Sequence, residues 1–152
     1  MHDMTGDQIT EFLAKQSVGH IGMVREGRPY ILPVSYVFDQ NTIYFATENT
    51  PKLADLQQQA ETCFEVDEFV PELGRYCSVI GYGHARIIED ADERQRILRA
   101  LISRFEREAP PMARSRDLPA HTMSQSCPSD DAPEALEIVA LSLEELHGRE
   151  AA

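Results

Sequence analysis

The segment YCSVIGYGHARII, residues Tyr76–Ile88, decides the fold of this chain. It is a long apolar run of the kind that forms strands, and it contains two glycines, Gly81 and Gly83. Glycines inside a strand of this length indicate a bend or a β-bulge, as found where a sheet closes on itself. The segment therefore predicts a small barrel.

Five more segments have the β-branched and aromatic composition that is typical of strands. They are Val18–Val24, Tyr30–Phe38, Ile43–Thr47, Thr62–Phe69 and Ala135–Leu143. Glu26 and Gly27 are turn residues that join the first two strands as a hairpin. Pro33 cannot donate a backbone hydrogen bond, so the second strand is predicted to lie at a sheet edge or to leave a gap that a ligand can approach.

Capping residues and helical periodicity predict three helices, which begin after Thr5, near Pro51 and after Asp90. Thr5 and Gln8 have capping-box spacing, and the third helix has an apolar stripe that is expected to pack on the barrel. Six strands with helices between or outside them, without regular βαβ alternation, predict an α+β protein built on a small antiparallel barrel.

The chain has 152 residues, of which 42% are hydrophobic, enough for one ordinary core and hardly for two. We therefore expect a single domain over residues 1–152. Residues 109–133 are rich in proline, serine and charge, and they show no periodicity. This segment is predicted to be a mobile or partner-wrapping loop.

Charge and cysteine content narrow the classes of partner. The formal net charge of -12 disfavours nucleic acids and anionic membranes, which bind clustered lysine and arginine. No apolar run has the length of a membrane span, and residues 1–7 lack the features of a signal peptide. Cys63, Cys77 and Cys127 are odd in number and too widely spaced for a zinc or iron–sulfur site. We expect a cytoplasmic protein that binds a small-molecule substrate and no metal.

A strand-loop-helix junction, IYFATENTPKLADL at Ile43–Leu56, places Lys52 in the first turn of a helix. The positive end of the helix dipole repels a cation, so a lysine there is best explained by an anion between it and the free backbone N–H groups. Lys52 is therefore a candidate anion-binding residue. The alternative is a solvated helix residue without a ligand.

Other polar residues give weaker signals. His20 and His84 both lie in strand-like segments and would ligate a metal or haem only if the barrel brought them together; the alternative is a structural role for each. Cys77 lies on an apolar strand without the positive surroundings that activate a thiol. Neighbouring acidic residues, such as those at 90–93 and Glu144–Glu145, are assigned to solvated helix faces. No catalytic side chain is assigned.

The order of these segments resembles the FMN-binding split barrel of the pyridoxamine 5′-phosphate oxidase-like superfamily, especially its small flavin-binding branch with the nitroimidazole-resistance proteins. The resemblance spans roughly residues 9–105 and the last strand. The matching pieces, in family order, are Val18–Val24, Gly27–Tyr36, Ile43–Thr47, Lys52 with its helix, Cys63–Val66, Tyr76–Ala85 and Ile138–Leu143.

The resemblance implies a six-stranded antiparallel split β-barrel with flanking helices, in which two chains form a homodimer with FMN at their interface. The flavin ring would lie against the strand Pro33–Tyr36, and its phosphate near Lys52. The implied cofactor-binding residues are Pro33, Val34, Ser35, Thr47, Lys52 and Ser78. For Thr47 and Ser78 an ordinary cross-strand partner is the alternative interpretation.

The chain departs from the family pattern in its positive charges. Many relatives have an arginine directly before the lysine, where this chain has Pro51, so one of two cations expected for the phosphate is missing. Arg28 and Arg75 are candidates to supply it. The oxidases proper also carry an arginine where this chain has Ile31–Leu32, which argues against pyridoxamine phosphate oxidation.

The function implied by the resemblance is that of an FMN-binding flavoprotein, an oxidoreductase that passes hydride or electrons from a reduced nicotinamide to a small acceptor. The flavin would supply the chemistry, so no acid or base residue need be present. The alternative is a non-catalytic split-barrel dimer that binds FMN or haem, or that has lost its cofactor, and Pro51 favours this alternative. Exchange of FMN for a deazaflavin is a third possibility within the superfamily.

Overall fold

The structure is a computed structural model, and it describes residues 1–48, 51–59, 61–108 and 136–151, with only the backbone at Lys52. The segment 109–133, for which a mobile or partner-wrapping loop is predicted, lies outside these residues. The strands are β1 His2–Asp3, β2 Val18–Arg25, β3 Arg28–Ser35, β4 Val37–Asp39, β5 Thr42–Glu48, β6 Thr62–Val70, β7 Arg75–Ile87 and β8 Leu136–Ala151. The helices are α1 Gly6–Lys15, α2 Pro51–Gln58 and α3 Ala91–Glu108, with a short 3₁₀ helix at Pro71–Leu73.

The three predicted helix starts are confirmed, two of them by capping contacts. The backbone N–H of Thr5 donates to the Gln8 side chain at 2.7 Å, and the Gln8 N–H donates back to Thr5 Oγ1 at 3.3 Å. At the start of α3, the Glu93 N–H donates to Asp90 Oδ2 at 2.8 Å. No helix in the described part of the chain is long and apolar enough to cross a membrane.

The strands form one antiparallel sheet in the order β3-β2-β6-β7-β8-β5-β4, and β1 adds to β8. The two ends of this order, β3 and β4, are separated in the chain by Tyr36 alone. Because neighbouring Cα atoms are only about 3.8 Å apart, the sheet must curl until its ends meet at this residue. The result is an α+β protein with an open, split barrel, as predicted, although its sheet has eight strands and not six. β3 is an edge strand, which confirms the expectation from Pro33.

The predicted strand Tyr30–Phe38 is divided at Tyr36, which was not foreseen. The Tyr36 N–H donates to Ser17 O at 3.0 Å, and its hydroxyl donates to Leu13 O at 2.7 Å, so the residue is bonded to the end of α1 and the segment after it. Its ring is fully buried and meets Phe64 edge to face, with 5.2 Å between the ring centroids. Burial raises the pKa of the Tyr36 phenol well above its usual range.

A bulge lies where the glycine-rich segment pairs with β8, with its extra residue on β8 and not on the glycine-rich strand, and the structure corrects two predictions about β8. In the β7–β8 ladder, Tyr82 faces Glu145 and Gly83 faces Leu143, so Glu144 is an extra residue. The last strand, predicted to end at Leu143, continues to Ala151. Glu144 and Glu145 are exposed, as expected, but they lie on β8 and not on a helix, because a bulge breaks the alternation that would have marked a strand.

Two clusters of buried side chains hold the barrel and its helices together. The larger one fills the barrel and is covered by α1 and α2; its members include Leu13, Ile21, Phe64, Val79 and Leu141. The smaller one lies between α3 and the other side of β5 and β8, around Tyr44, Ile88, Ile97, Ile138 and Ala140. The predicted packing of the third helix on the barrel is thereby confirmed.

Candidate functional site

The solvent side of β3, β2, β6 and β7, which we call the outer face, presents polar and apolar side chains together. Along each strand the side chains alternate between the core and this face. On β6, for example, Phe64 and Val66 are buried whereas Cys63, Glu65 and Asp67 remain partly or fully accessible. The outer face is therefore the part of the barrel on which a ligand or another chain can bind.

The middle of the outer face is a row of directly opposed residues on the four strands: Pro33, His20, Glu65 and Ile80. His20 Nδ1 and Glu65 Oε2 are 3.3 Å apart in a hydrogen bond. Burial raises the pKa of the Glu65 carboxyl, Asp67 raises it further, and the His20 contact opposes both effects. A ligand that lies against Pro33 would therefore have His20 as its nearest titratable neighbour on β2.

The structure brings three of the six predicted cofactor residues to this face. Pro33 and Ser35 are alternate residues on the outward side of β3, and Ser78 lies on the outward side of β7, opposite Asp67. Val34 is 1% exposed and belongs to the core, so its side chain faces away from any ligand on the outer face. The fourth position of the predicted ring-binding strand, Tyr36, is also buried.

Thr47 lies apart from the outer face, near the end of β5. It is 8% exposed, and its hydroxyl donates to Glu48 O at 3.3 Å. By the alternation of β5 it is on the same side as Ile43 and Phe45, which belong to the barrel core. The structure therefore places Thr47 just before the α2 junction and provides a local partner for its hydroxyl.

Helix α2 is well anchored, and Lys52 is its second residue, as predicted. Leu53 and Leu56 are each 3% exposed in the barrel core. At the other end of the helix the Gln59 amide donates to Val24 O at 2.7 Å and accepts from the Val24 N–H at 3.3 Å. The start of α2 thus carries backbone N–H groups without a partner inside the helix, on a helix that is fixed to β2.

His20 and His84 are not brought together. His20 is bonded to Glu65, whereas His84 Nδ1 is 3.0 Å from Glu144 Oε1 on the far side of β7. The described residues contain no group of three or more histidine, cysteine or acidic side chains placed to hold a metal ion. A joint metal or haem site at these two histidines therefore has no geometric support.

Arg75 and Cys77 are unsuited to the roles for which the sequence brought them into question, a cation for the phosphate and a reactive thiol. Arg75 Nη2 donates to Glu68 Oε2 at 3.0 Å, so its charge is already partnered. Burial is the main reason that the pKa of the Cys77 thiol is raised, which keeps it protonated at neutral pH. Cys77 is thus a poor nucleophile, in agreement with the expectation that nothing on its strand activates the thiol.

A groove on the outer face was missed by sequence reasoning. It has a volume of about 700 Å³ and is centred on the row Ile31, Gly22, Cys63 and Tyr82, with Gln59 and Glu61 at its rim. We call it the Gly22 groove. The only indication of a groove in the sequence was Gly22, which has no side chain and stands among larger residues that face outward. Its neighbours Ile31 and Cys63 are identified only by the cross-strand register.

The family is decided by comparison with known proteins. The family model described as pyridoxamine 5′-phosphate oxidase matches residues 5–150. The chain belongs to this family. No curated protein matches the sequence.

Solved structures share the fold of this family member over nearly its whole length. An FAD-binding protein from Mesorhizobium loti has a TM-score of 0.72 and 19% identity, over 99% of this chain and 98% of that one. A putative 5-nitroimidazole antibiotic resistance protein from Bacteroides thetaiotaomicron has a TM-score of 0.67 and 18% identity, over 98% and 86%. An FAD and heme binding protein from Mycobacterium smegmatis has a TM-score of 0.67 and 18% identity, over 95% and 70%. At these identities the likeness establishes the fold alone.

Proposed function

We propose that this protein is an FMN-binding flavoprotein that passes hydride or electrons from a reduced nicotinamide to a small acceptor. The observation that carries the proposal is the outer face, which presents Pro33, Ser35 and Ser78 together on an accessible sheet surface. Membership of the family and the flavin-binding neighbours support a flavin at such a face. The flavin would supply the electron transfer, and the protein would bind, orient and shield it.

The second part of the proposal is a homodimer with the cofactor at its interface. Large apolar side chains on the outer face are exposed: Ile31 by 71%, Val18 by 50%, Val24 by 48% and Ile80 by 40%. Apolar side chains grouped on one face of a soluble protein favour a covered surface. A second copy of the chain would cover them and close the site over the flavin.

The residue types at the start of α2 are suited to binding the phosphate of FMN. The start of α2 offers Lys52 and N–H groups that have no partner inside the helix, the combination that holds phosphate groups in many proteins. Pro51 supplies no cation at the position directly before Lys52. Of the two arginines that could compensate, Arg75 is bonded to Glu68, whereas Arg28 is exposed at the β2–β3 hairpin. We therefore favour Arg28, from the same or the second copy.

Substitution of Lys52 tests the phosphate site. Lys52→Ala should weaken FMN binding about 10- to 100-fold, because a charge-assisted hydrogen bond is worth about 1.5–3 kcal/mol. Lys15→Ala is the matched control, since Lys15 is the only other lysine and lies in the last turn of α1. Equilibrium titration by flavin fluorescence measures both. Equal affinity of the Lys52→Ala variant and the parent would remove Lys52 from the site.

The absorption spectrum of the freshly purified protein tests the cofactor, and chromatography of the heat-released compound distinguishes FMN from FAD. We expect flavin bands with one FMN per chain, followed by bleaching with NADH or NADPH under anaerobic conditions. A protein that neither carries nor takes up a flavin would contradict the proposal.

The three cysteines without paired spacing support a reducing, cytoplasmic location.

A second candidate function is a non-catalytic dimer that holds FMN or haem. The missing cation at Pro51 favours weaker cofactor retention, and one structural neighbour binds both FAD and heme. Stoichiometric cofactor binding without steady-state consumption of a reduced nicotinamide in the presence of acceptors would support this candidate. Sustained turnover would exclude it.

A further inference from the structure

We propose that the Gly22 groove binds the small acceptor, and that this acceptor is a neutral, flat, largely apolar ring compound without a phosphate or carboxylate group. This inference deepens the proposed function, because the acceptor is the molecule that takes electrons from the flavin. The ligand preference of the groove can nevertheless be measured with or without a flavin present.

The shape of the groove favours a flat ring. Gly22 has no side chain, so its backbone forms a low floor that the Cys63 side chain on β6 partly covers, next to Ile31 on β3. A Cβ atom at Gly22 would lie 2.4 Å from Cys63 Sγ, which shows how closely the sulfur approaches this floor. The ring of Tyr82 follows in the same row on β7 and provides an aromatic wall.

The groove is held open by contacts that a ligand need not supply. The Gln59 amide makes two hydrogen bonds to the backbone of Val24, at 2.7 and 3.3 Å, and a third to Asp55 O at 3.2 Å, and so ties the end of α2 to the rim. The volume of about 700 Å³ is in the range of small-molecule sites, which are usually largely pre-formed. A ring of two fused six-membered cycles fits easily.

The charges around the groove disfavour an anionic ligand. None of its lining residues, all within the described part of the chain, is lysine or arginine, and the rim carries the carboxylate of Glu61. The nearest cation on β2, Arg25, has its Nε 3.3 Å from Asp55 Oδ2. Arg28 alternates with Pro29 and Ile31 and therefore faces the other side of β3. A phosphate or carboxylate in the groove would be desolvated beside a like charge.

Two fluorescent probes with the same ring test this preference: 2-naphthol, which is neutral at pH 7, and naphthalene-2-sulfonate, which is an anion. Each is titrated into the full chain with and without bound FMN. We expect 2-naphthol to bind at least about tenfold more tightly in both forms. Ile31→Lys should reverse this preference by bringing a cation into the lining of the groove. Leu73→Lys, at a similarly exposed position (69%) on the short 3₁₀ helix and outside the groove, should leave it unchanged.

Several results would overturn the inference: equal affinity for the two probes, no binding of either, or an unchanged preference in the Ile31→Lys variant. Displacement of 2-naphthol by FMN would show that the groove is the slot of the flavin itself. Flavin uptake, measured separately by absorbance, distinguishes a failure of the proposed function from a failure of the groove as a ligand site. A protein that takes up no flavin and still prefers 2-naphthol would retain the groove as a site for neutral rings and lose the proposed function.

Discussion

The two sides of the same four strands differ in what covers their apolar residues. On the inner side, Ile21, Phe64 and Val79 are fully buried by one another and by the helices. On the outer face, Ile31 and Ile80 are 71% and 40% exposed. Alternate residues of one strand thus serve two purposes: the inner set stabilises the fold, and the outer set is available for a cofactor, an acceptor or a second copy of the chain.

The largest difference in stability is expected between two side-chain truncations, one on the inner side of the sheet and one on the outer face. Phe64→Ala removes a fully buried ring that packs on Tyr36, and we expect a loss of about 3–5 kcal/mol in the free energy of unfolding. Ile80→Ala, on the neighbouring strand but on the outer face, should cost less than about 1 kcal/mol. Denaturant unfolding measures both. Equal losses at low protein concentration would contradict the division into two sides.

Alanine substitutions at two glycines, Gly83 and Gly22, should also differ in their effect on stability. A Cβ at Gly83 would lie 1.8 Å from the backbone oxygen of Ser142, which cannot give way, so Gly83→Ala should destabilise the protein by about 1–3 kcal/mol. A Cβ at Gly22 would meet only the Cys63 sulfur, which can rotate, so Gly22→Ala should be close to neutral. Thermal unfolding of the two variants provides the comparison. A larger loss at Gly22 would show that the outer face is as tightly packed as the bulge.

The smallest expected effect is the contribution of Glu65, on the outer face, to the pH dependence of stability. The pKa of Glu65 is raised from its ordinary value of 4.5, mainly by burial, so the folded state prefers the protonated carboxyl. Its contribution to stability is therefore present at low pH and is lost as the pH rises through the folded pKa. Glu65→Gln should gain stability relative to the parent from pH 4 to pH 6, by less than about 1 kcal/mol because solvent screens this partly exposed group. A change of opposite sign would contradict the assigned cause.

Much of the fold followed from local sequence signals. The capping box at Thr5 and the cap at Asp90 are each determined by a few neighbouring residues, and both are confirmed. The glycines of β7 correctly indicated an irregularity in the sheet, but the extra residue of the bulge lies on the partner strand β8. Strand β1 and the break at Tyr36 were not predicted. β1 pairs with residues near the other end of the chain, and the break depends on contacts with α1, so neither leaves a local pattern.

The candidate site was predictable only in part, for a similar reason. Proline in a strand and lysine at a helix start are local features, and the structure places Pro33 on an edge strand and Lys52 in the first turn of α2. The His20–Glu65 pair and the Gly22 groove depend on which residues face each other across strands. That register is set by the whole sheet and cannot be deduced from any one segment.

Hydrogen–deuterium exchange of the full chain, with and without saturating FMN, tests the central claim that the outer face and the start of α2 bind the cofactor. The account predicts slower exchange on FMN addition in residues 31–35 of β3 and in the first turn of α2, with little change in α3. No change at a concentration that saturates the flavin absorbance signal, or protection confined to α3, would contradict it.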